Sequence, residues 1–190
     1  MKNSLLAAIV GVMLVGCGGA DTSRLALNEQ SNDLAAVGGG NTVCDTGDVD
    51  ANAWQDRIIQ SNMSVPAGKT CRIYWSEVKG NVNVQGDLIT IHTQFDKNVN
   101  VDGGSLTVMN WGSTFLGNLS IKNSPGRGGG PNGFWSDYSA TVISGDFSYQ
   151  GNSVPLYTEG NVTVNGNMTY DTSPCGNLPT VLGSMNVTGC

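Results

Sequence analysis

Short alternating strands fill the chain from about residue 57 to its end. In units such as Asn81-Val82-Asn83-Val84 and Asn98-Val99-Asn100-Val101, apolar side chains alternate with Asn, Ser or Thr. Alternation with a period of two places the apolar side chains on one side of a strand and the polar ones on the other. The first apolar positions of the seven units are Met63, Val82, Val99, Leu119, Phe147, Val162 and Met185.

The spacing of these units predicts the fold. Successive units start 19, 17, 20, 28, 15 and 23 residues apart, and a recurring period of about 20 residues is typical of repeat architectures. Asparagine tolerates left-handed backbone angles at corners and forms side-chain ladders. We therefore expect an all-β fold, a right-handed parallel β-helix (β-solenoid) of six or seven short coils over residues 42–190. The alternative is an antiparallel β-sandwich, which also combines short strands with Gly and Asn turns.

The segment before the first repeat has a different pattern. Residues 50–60 predict a short N-terminal capping helix with Trp54 and Ile58 turned inward. Such a cap protects the open edge of a terminal coil.

The first residues carry a targeting signal. Lys2 precedes an apolar run from Leu5 to Val15, which is too short to span a bilayer and has the length of a signal peptide. The run ends in Leu14-Val15-Gly16-Cys17, which resembles the lipobox of bacterial lipoproteins. The resemblance implies cleavage before Cys17 and attachment of fatty acyl chains such as palmitate to this cysteine, which would anchor the protein in a membrane.

The residues around the lipobox divide the chain. Residues 1–16 are the predicted signal peptide, and residues 17–41 are the lipidated Cys and a flexible Gly-, Ala-, Ser- and Asn-containing tether. In many lipoproteins of two-membrane bacteria, Asp after the lipidated Cys retains the protein at the inner membrane. Gly18 stands there instead, so the resemblance favours the outer membrane, with the domain facing the periplasm or the cell surface.

The five cysteines fit an exported protein. Lipidation of Cys17 leaves four, which in an oxidising compartment indicates two disulfides with three possible pairings. We favour Cys44–Cys71 and Cys175–Cys190, because each pair joins the nearest partners at one end of the domain. Histidine does not cluster with these cysteines, so structural zinc is not expected.

The repeats also resemble secreted bacterial β-helical proteins of unassigned function. In those proteins Asn-Val-x-Val-x-Gly units follow a Val-Pro-x-Gly-x-x-Cys start, which here is Val65-Pro66-Ala67-Gly68-Lys69-Thr70-Cys71. The likeness covers residues 57–190 and implies the fold, but no activity.

Charge narrows the classes of partner. Charged residues make up 13% of the chain, the net charge is −6, and no basic cluster occurs. A nucleic-acid partner is therefore not expected. No cofactor is expected either, because phosphate-binding loops and His-Glu-x-x-His motifs are absent from the sequence.

The longest step between units holds the candidate ligand site. Residues 122–139 combine a glycine-rich half with aromatic and charged side chains, and insertions in solenoids often form the binding face. Flat rings beside hydrogen-bonding charges suit a sugar, which has an apolar face and a hydroxyl rim. The alternative is that the rings cover the solenoid wall. The candidate ligand-binding residues are Arg127, Phe134, Trp135, Asp137 and Tyr138.

Other candidates carry weaker patterns. Trp111 and Phe115 either extend the aromatic patch or pack in a turn. Asp45, Asp48 and Asp50 have carboxylates that calcium prefers, but their spacing favours turn and capping roles, and no metal is expected. His92, the only histidine, has no evident catalytic partner in the sequence.

These patterns predict a membrane-anchored, non-catalytic structural or adhesive module that contacts polysaccharide. Two alternatives stay open. One is a carbohydrate-active β-helix enzyme, a lyase or hydrolase, although the short domain and sparse charge disfavour catalysis. The other is a scaffold that assembles through its exposed coil edges.

Overall fold

Parallel strands stack into a β-helix in the computed structural model, which describes residues 40–189. All strand pairs in this part of the chain are parallel. Each coil adds strands to three faces in turn, and about seven coils are present. The predicted β-helix is therefore confirmed, and the antiparallel β-sandwich is excluded. Cys17, the signal peptide and the tether up to residue 39 lie outside the described residues.

The strands follow a fixed order around each coil. The first face contains Thr42–Val43, Met63–Val65, Val82–Val84, Val99–Asp102, Leu119–Lys122, Phe147–Gln150, Met168–Tyr170 and Met185–Val187. The second contains Trp54–Gln55, Thr70–Tyr74, Asp87–Ile91, Ser105–Val108 and the first parts of Asn132–Ile143 and Leu156–Val164. The third contains Ile58–Ile59, Glu77–Val78, Gln94–Phe95, Thr114–Phe115, the second parts of those two long strands, and Thr180–Val181.

The interior consists of columns of matching apolar side chains. On the first face, Val82 lies opposite Val99, and Leu119 lies opposite Phe147. Aromatic rings stack in the same way between coils, as Phe95 does on Phe115 with ring centroids 5.0 Å apart. These side chains are almost completely buried, and their removal from water is the main favourable term in folding.

Asparagine side chains form the predicted ladder where the third face turns into the first. The Asn98 Oδ1 accepts the backbone N–H of Asn118, and the Asn118 Oδ1 accepts that of Asp146. The ladder continues when Asp146 and Asn167 each accept an N–H from the following coil. It satisfies backbone donors at corners that lie outside the regular strands.

One repeat unit lies on a different face from the one predicted. Val162 and Val164 belong to the third face, where Val164 pairs with Ile143. Met168 takes the expected place on the first face, opposite Phe147. The prediction was wrong because an alternating pattern separates inside from outside but does not distinguish one face of a coil from another.

The predicted capping helix over residues 50–60 is also absent. A single 3₁₀ turn, Asp50–Asn52, is followed by the short strands Trp54–Gln55 and Ile58–Ile59, which pair with the next coil. Trp54 packs partly against the core, as expected, but Ile58 is 59% exposed and Ile59 points inward. Backbone pairing of this segment with the exposed strand edges of the next coil is therefore favoured over a local helix.

A disulfide joins the first two coils. Cys44 and Cys71 are bonded and completely buried, which confirms the first predicted pair. Cys175 is also disulfide-bonded. The predicted partner of Cys175 is Cys190, which lies outside the described residues, so the second pair remains a prediction.

Candidate functional site

The glycine-rich half of the insertion is held by ion pairs. Arg127 lies in the 3₁₀ turn Arg127–Gly129 and forms an ion pair with Asp48 of the first coil. Its Nε lies 3.9 Å from the Asp87 Oδ2 at the start of the second face. The bond from the Arg127 guanidinium lowers the pKa of Asp48. Arg127 is therefore paired with carboxylates of other coils, although its side chain stays 39% exposed.

The aromatic half of the insertion divides between core and surface. Phe134 is completely buried and packs edge-on against Phe147, with centroids 6.0 Å apart. It therefore belongs to the core and not to the predicted ligand site. The reason is its position on the strand, because Phe134 pairs with the inward-facing Val108 of the previous coil.

Trp135 occupies the outer side of the second face. A Cβ added to Gly133 would overlap the six-membered ring of Trp135, so the indole lies over this glycine. Gly133 pairs with Thr107 on one side and Tyr157 on the other. The Trp135 and Tyr157 rings are 5.6 Å apart and tilted by 36°. Because both side chains are half-buried, they form a platform that still faces solvent.

A second aromatic pair lies at the corner between the second and third faces. Trp111 and Tyr138 stack with their centroids 5.2 Å apart, and they are 47% and 70% exposed. The Tyr138 N–H donates to the Asn110 carbonyl at 3.0 Å, which links the two coils. Of the two residues proposed to extend the patch, Trp111 does so. Phe115 is buried against Phe95 and does not.

Carboxylates lie beside the platform. The Tyr157 hydroxyl donates to the Glu159 Oε2 at 3.1 Å. This bond, together with the charges of Glu159 and Asp137, raises the pKa of Tyr157. Both carboxylates are on exposed residues and can accept hydrogen bonds from a ligand. We call Trp111, Trp135, Asp137, Tyr138, Tyr157 and Glu159 the aromatic patch.

Sequence reasoning missed Tyr157 and Glu159. They lie in the coil after the insertion, where Tyr157 pairs with Gly133 and Glu159 pairs with Trp135. The repeat pattern contained the signal in principle. Assigning Val162 to the first face obscured it, because that assignment shifted the expected neighbours of residues 156–160.

The candidate calcium ligands Asp45, Asp48 and Asp50 form ion pairs with Lys and Arg side chains. Asp45 pairs with Lys69 at 2.7 Å, and Asp50 with Arg72 at 2.7 Å. Tyr74 also donates to Asp50. Within residues 40–189, no group of three or more His, Cys, Asp and Glu side chains is arranged to hold a metal ion.

A half-open depression of about 290 Å³ lies on the outer side of the first face. Ser64, Asn83, Gln85, Asn100 and Asp102 line it together with apolar atoms of neighbouring residues. It offers hydrogen-bonding groups and some apolar surface but no aromatic ring, so it lacks the flat apolar platform that the aromatic patch provides.

Comparison with known proteins identifies no relative of this chain. No family model, curated protein or solved structure matches the chain. Residues 40–189 also contain no helix with the length and apolar character needed to cross a membrane.

Proposed function

We propose that the β-helix is a non-catalytic, adhesive surface module that binds polysaccharide through the aromatic patch. The observation that carries the proposal is the position of Trp135 over Gly133, beside Tyr157. A half-buried indole on the outer wall offers its solvent-facing part as an apolar platform for the C–H face of a sugar ring. Asp137 and Glu159 supply acceptors for the hydroxyl groups around that ring.

The exposed pair supports the same proposal. Leaving about half of Trp111 and most of Tyr138 in water forgoes part of the stabilisation that burying large aromatic side chains provides. Exposed apolar surface of this kind, bordered by polar residues, marks binding sites more often than structural ones. The patch combines two aromatic pairs from three successive coils.

Binding to a broad array of neutral, cationic and acidic glycans tests the proposal. The full chain, purified in detergent, is compared with Trp135→Ala and with Leu116→Ala, which removes an exposed apolar side chain outside the patch. We expect binding that Trp135→Ala abolishes and Leu116→Ala leaves unchanged. The absence of glycan binding by the unmodified chain would refute the proposal.

A double variant and two assays distinguish the proposed function from a different binding site, an enzyme and a scaffold. If Asn83→Ala with Asn100→Ala abolishes binding while Trp135→Ala does not, the site is the depression of the first face. Release of reducing or unsaturated sugar ends from a bound polymer would indicate a carbohydrate-active enzyme. Concentration-dependent polymers without glycan binding would indicate the scaffold role.

The lipobox supports membrane anchoring of this module. Lipidation at Cys17 predicts that Cys17→Ser moves the protein from the membrane to the soluble fraction, whereas Cys190→Ser does not. In a two-membrane host, Gly18→Asp should shift the protein from the outer to the inner membrane. Membrane fractionation that is unchanged by Cys17→Ser would refute the anchor without affecting glycan binding.

A further inference from the structure

Aromatic side chains occupy the corner between the second and third faces in four successive coils. Trp75 and His92 are opposite each other, because the preceding residues Tyr74 and Ile91 pair and the Trp75 N–H donates to the Ile91 carbonyl. Trp111 lies in the same corner of the next coil, where the His92 N–H donates to the Gly112 carbonyl. Tyr138 follows, stacked on Trp111.

All four side chains face solvent. Trp75 is 46% exposed, and His92 is also exposed. Trp75 and His92 have φ angles of 47° and 46°, a left-handed conformation that Gly or Asn adopts more easily than a bulky residue. Two of the four rings therefore lie at positions where backbone geometry favours smaller residues, whereas in the Trp111 coil Asn110 and Gly112 take the left-handed conformation.

The row of rings at this corner ends at Tyr138, because the next coil has no side chain to cover it. In the next coil, Gly160 pairs with Ser136 and has no side chain. The register then shifts, so that Ser136–Thr141 in one coil is matched by the shorter Gly160–Val162 in the next. Tyr138 lies in the longer segment and projects beyond its neighbour, in agreement with its 70% exposure.

The charges at the Tyr138 end of this corner have one sign, whereas Arg57 lies near the Trp75 end, where its N–H donates to the Ser76 Oγ and its guanidinium lies over the Trp54 ring. In the corner segments of the three coils that form the patch, residues 109–113, 135–141 and 157–161, the charged residues are Asp137 and Glu159. The two cations of the insertion, Arg127 and Lys122, are paired with Asp48 and Asp102. A ligand with carboxylate, sulfate or phosphate groups would be repelled here, because like charges face each other without a compensating cation.

We infer that the ligand is an extended polysaccharide without acidic groups, which lies along this corner from Tyr138 towards Trp75. The inference rests on the proposed function and specifies its ligand class. Adjacent coils are separated by about 4.8 Å, so four coils present rings over roughly 14 Å. One sugar covers a fraction of that length, and a chain of several sugars contacts the rings in succession. Neutral and amino sugars both satisfy the charge requirement.

A comparison of polymers tests the charge requirement. Cellulose, chitin, mannan and chitosan serve as neutral or cationic probes, and alginate and polygalacturonate as acidic probes, at one ionic strength. We expect the full chain to bind at least one member of the first group and neither acidic polymer. Binding to an acidic polymer that Trp135→Ala abolishes would overturn the inference and leave the proposed function intact. No binding to any polymer would count against both.

Oligosaccharides of the bound polymer test the extended site. We expect Trp75→Ala to weaken binding of the hexasaccharide by about threefold or more, the size of one aromatic contact. The same variant should leave disaccharide binding unchanged, because the shorter ligand stays at Trp135 and Tyr138. Leu116→Ala is the control and should affect neither ligand. Equal hexasaccharide affinity in Trp75→Ala and the unmodified chain would overturn the extended site, with glycan binding itself retained.

Discussion

Trp135 covers Gly133, two residues earlier on the same strand, and leaves no room there for a Cβ atom. The glycine is buried by this contact, and its φ angle is outside the left-handed region. Its importance is therefore spatial and not conformational. The Trp135 ring, which carries the proposed function, therefore depends on the absence of a side chain beneath it.

Replacement of this glycine should disturb the site more than the fold. Gly133→Ala forces the far end of the Trp135 side chain outward, because the added methyl group occupies the space of the indole ring. We expect the intrinsic fluorescence to shift to longer wavelength and glycan affinity to fall. In a Trp135→Ala background the same substitution should cause no spectral shift. An unchanged spectrum in the original background would show that the ring does not lie over Gly133.

The buried disulfide should contribute measurably to stability. Cys44 and Cys71 are 27 positions apart, and closing a loop of that length is worth about 3.5 kcal/mol in the chain-entropy model. We expect the double variant Cys44→Ala with Cys71→Ala to lose about that amount of unfolding free energy in urea titrations. An unfolding midpoint equal to that of the unmodified chain would contradict this prediction.

Two adjacent residues allow the stability contribution of a core side chain to be compared with that of a surface side chain. Phe115 is completely buried and stacks on Phe95, whereas Leu116 is 46% exposed. Phe115→Ala should lower the unfolding free energy by about 3–5 kcal/mol, since it leaves a cavity in the column. Leu116→Ala should change it by less than about 0.5 kcal/mol. Urea unfolding of both variants measures the difference, and equal losses would show that the two side chains are not oriented as described.

Acid should destabilise the β-helix through carboxylates that have cationic or amide partners. Arg127 lowers the pKa of Asp48, the Gln94 amide and Lys79 lower that of Asp96, and Asn123 and Lys122 lower that of Asp102. A carboxyl group with a lowered pKa in the folded state adds stability above its unfolded value, here 3.8. This stability is lost as the pH falls through the lower, folded pKa.

The measurement is the thermal midpoint between pH 7 and pH 2. We expect a plateau above about pH 5 and a decline below about pH 4, because the carboxyl groups begin to take up protons there. The triple variant Asp48→Asn, Asp96→Asn and Asp102→Asn should show a smaller decline than the unmodified chain. Equal declines in both proteins would mean that these three groups do not contribute to acid sensitivity.

Most residues that the insertion contributes to the candidate site could be predicted from the sequence, but the residues that the next coil adds could not. The insertion at residues 122–139 was evident from one long step in the repeat, and Trp135, Asp137, Tyr138 and Trp111 do lie at the surface. Arg127 and Phe134 belong to other parts of the structure, in an ion pair and in the core. Tyr157 and Glu159 entered the site through pairing between coils. A residue's neighbour in the next coil depends on the lengths of all the turns between them.

The sequence by itself was enough to favour the parallel β-helix over a β-sandwich, and to predict the asparagine ladder and the Cys44–Cys71 bond. These follow from patterns that recur locally, namely alternation of period two, Asn at corners and cysteines near one end of the domain. Only the tertiary structure decided which face holds Val162, which aromatic rings reach solvent, and which coil places Tyr157 beside Trp135. The physical reason is that alternation specifies inside and outside, whereas the register between coils is set by packing and backbone pairing over the whole stack.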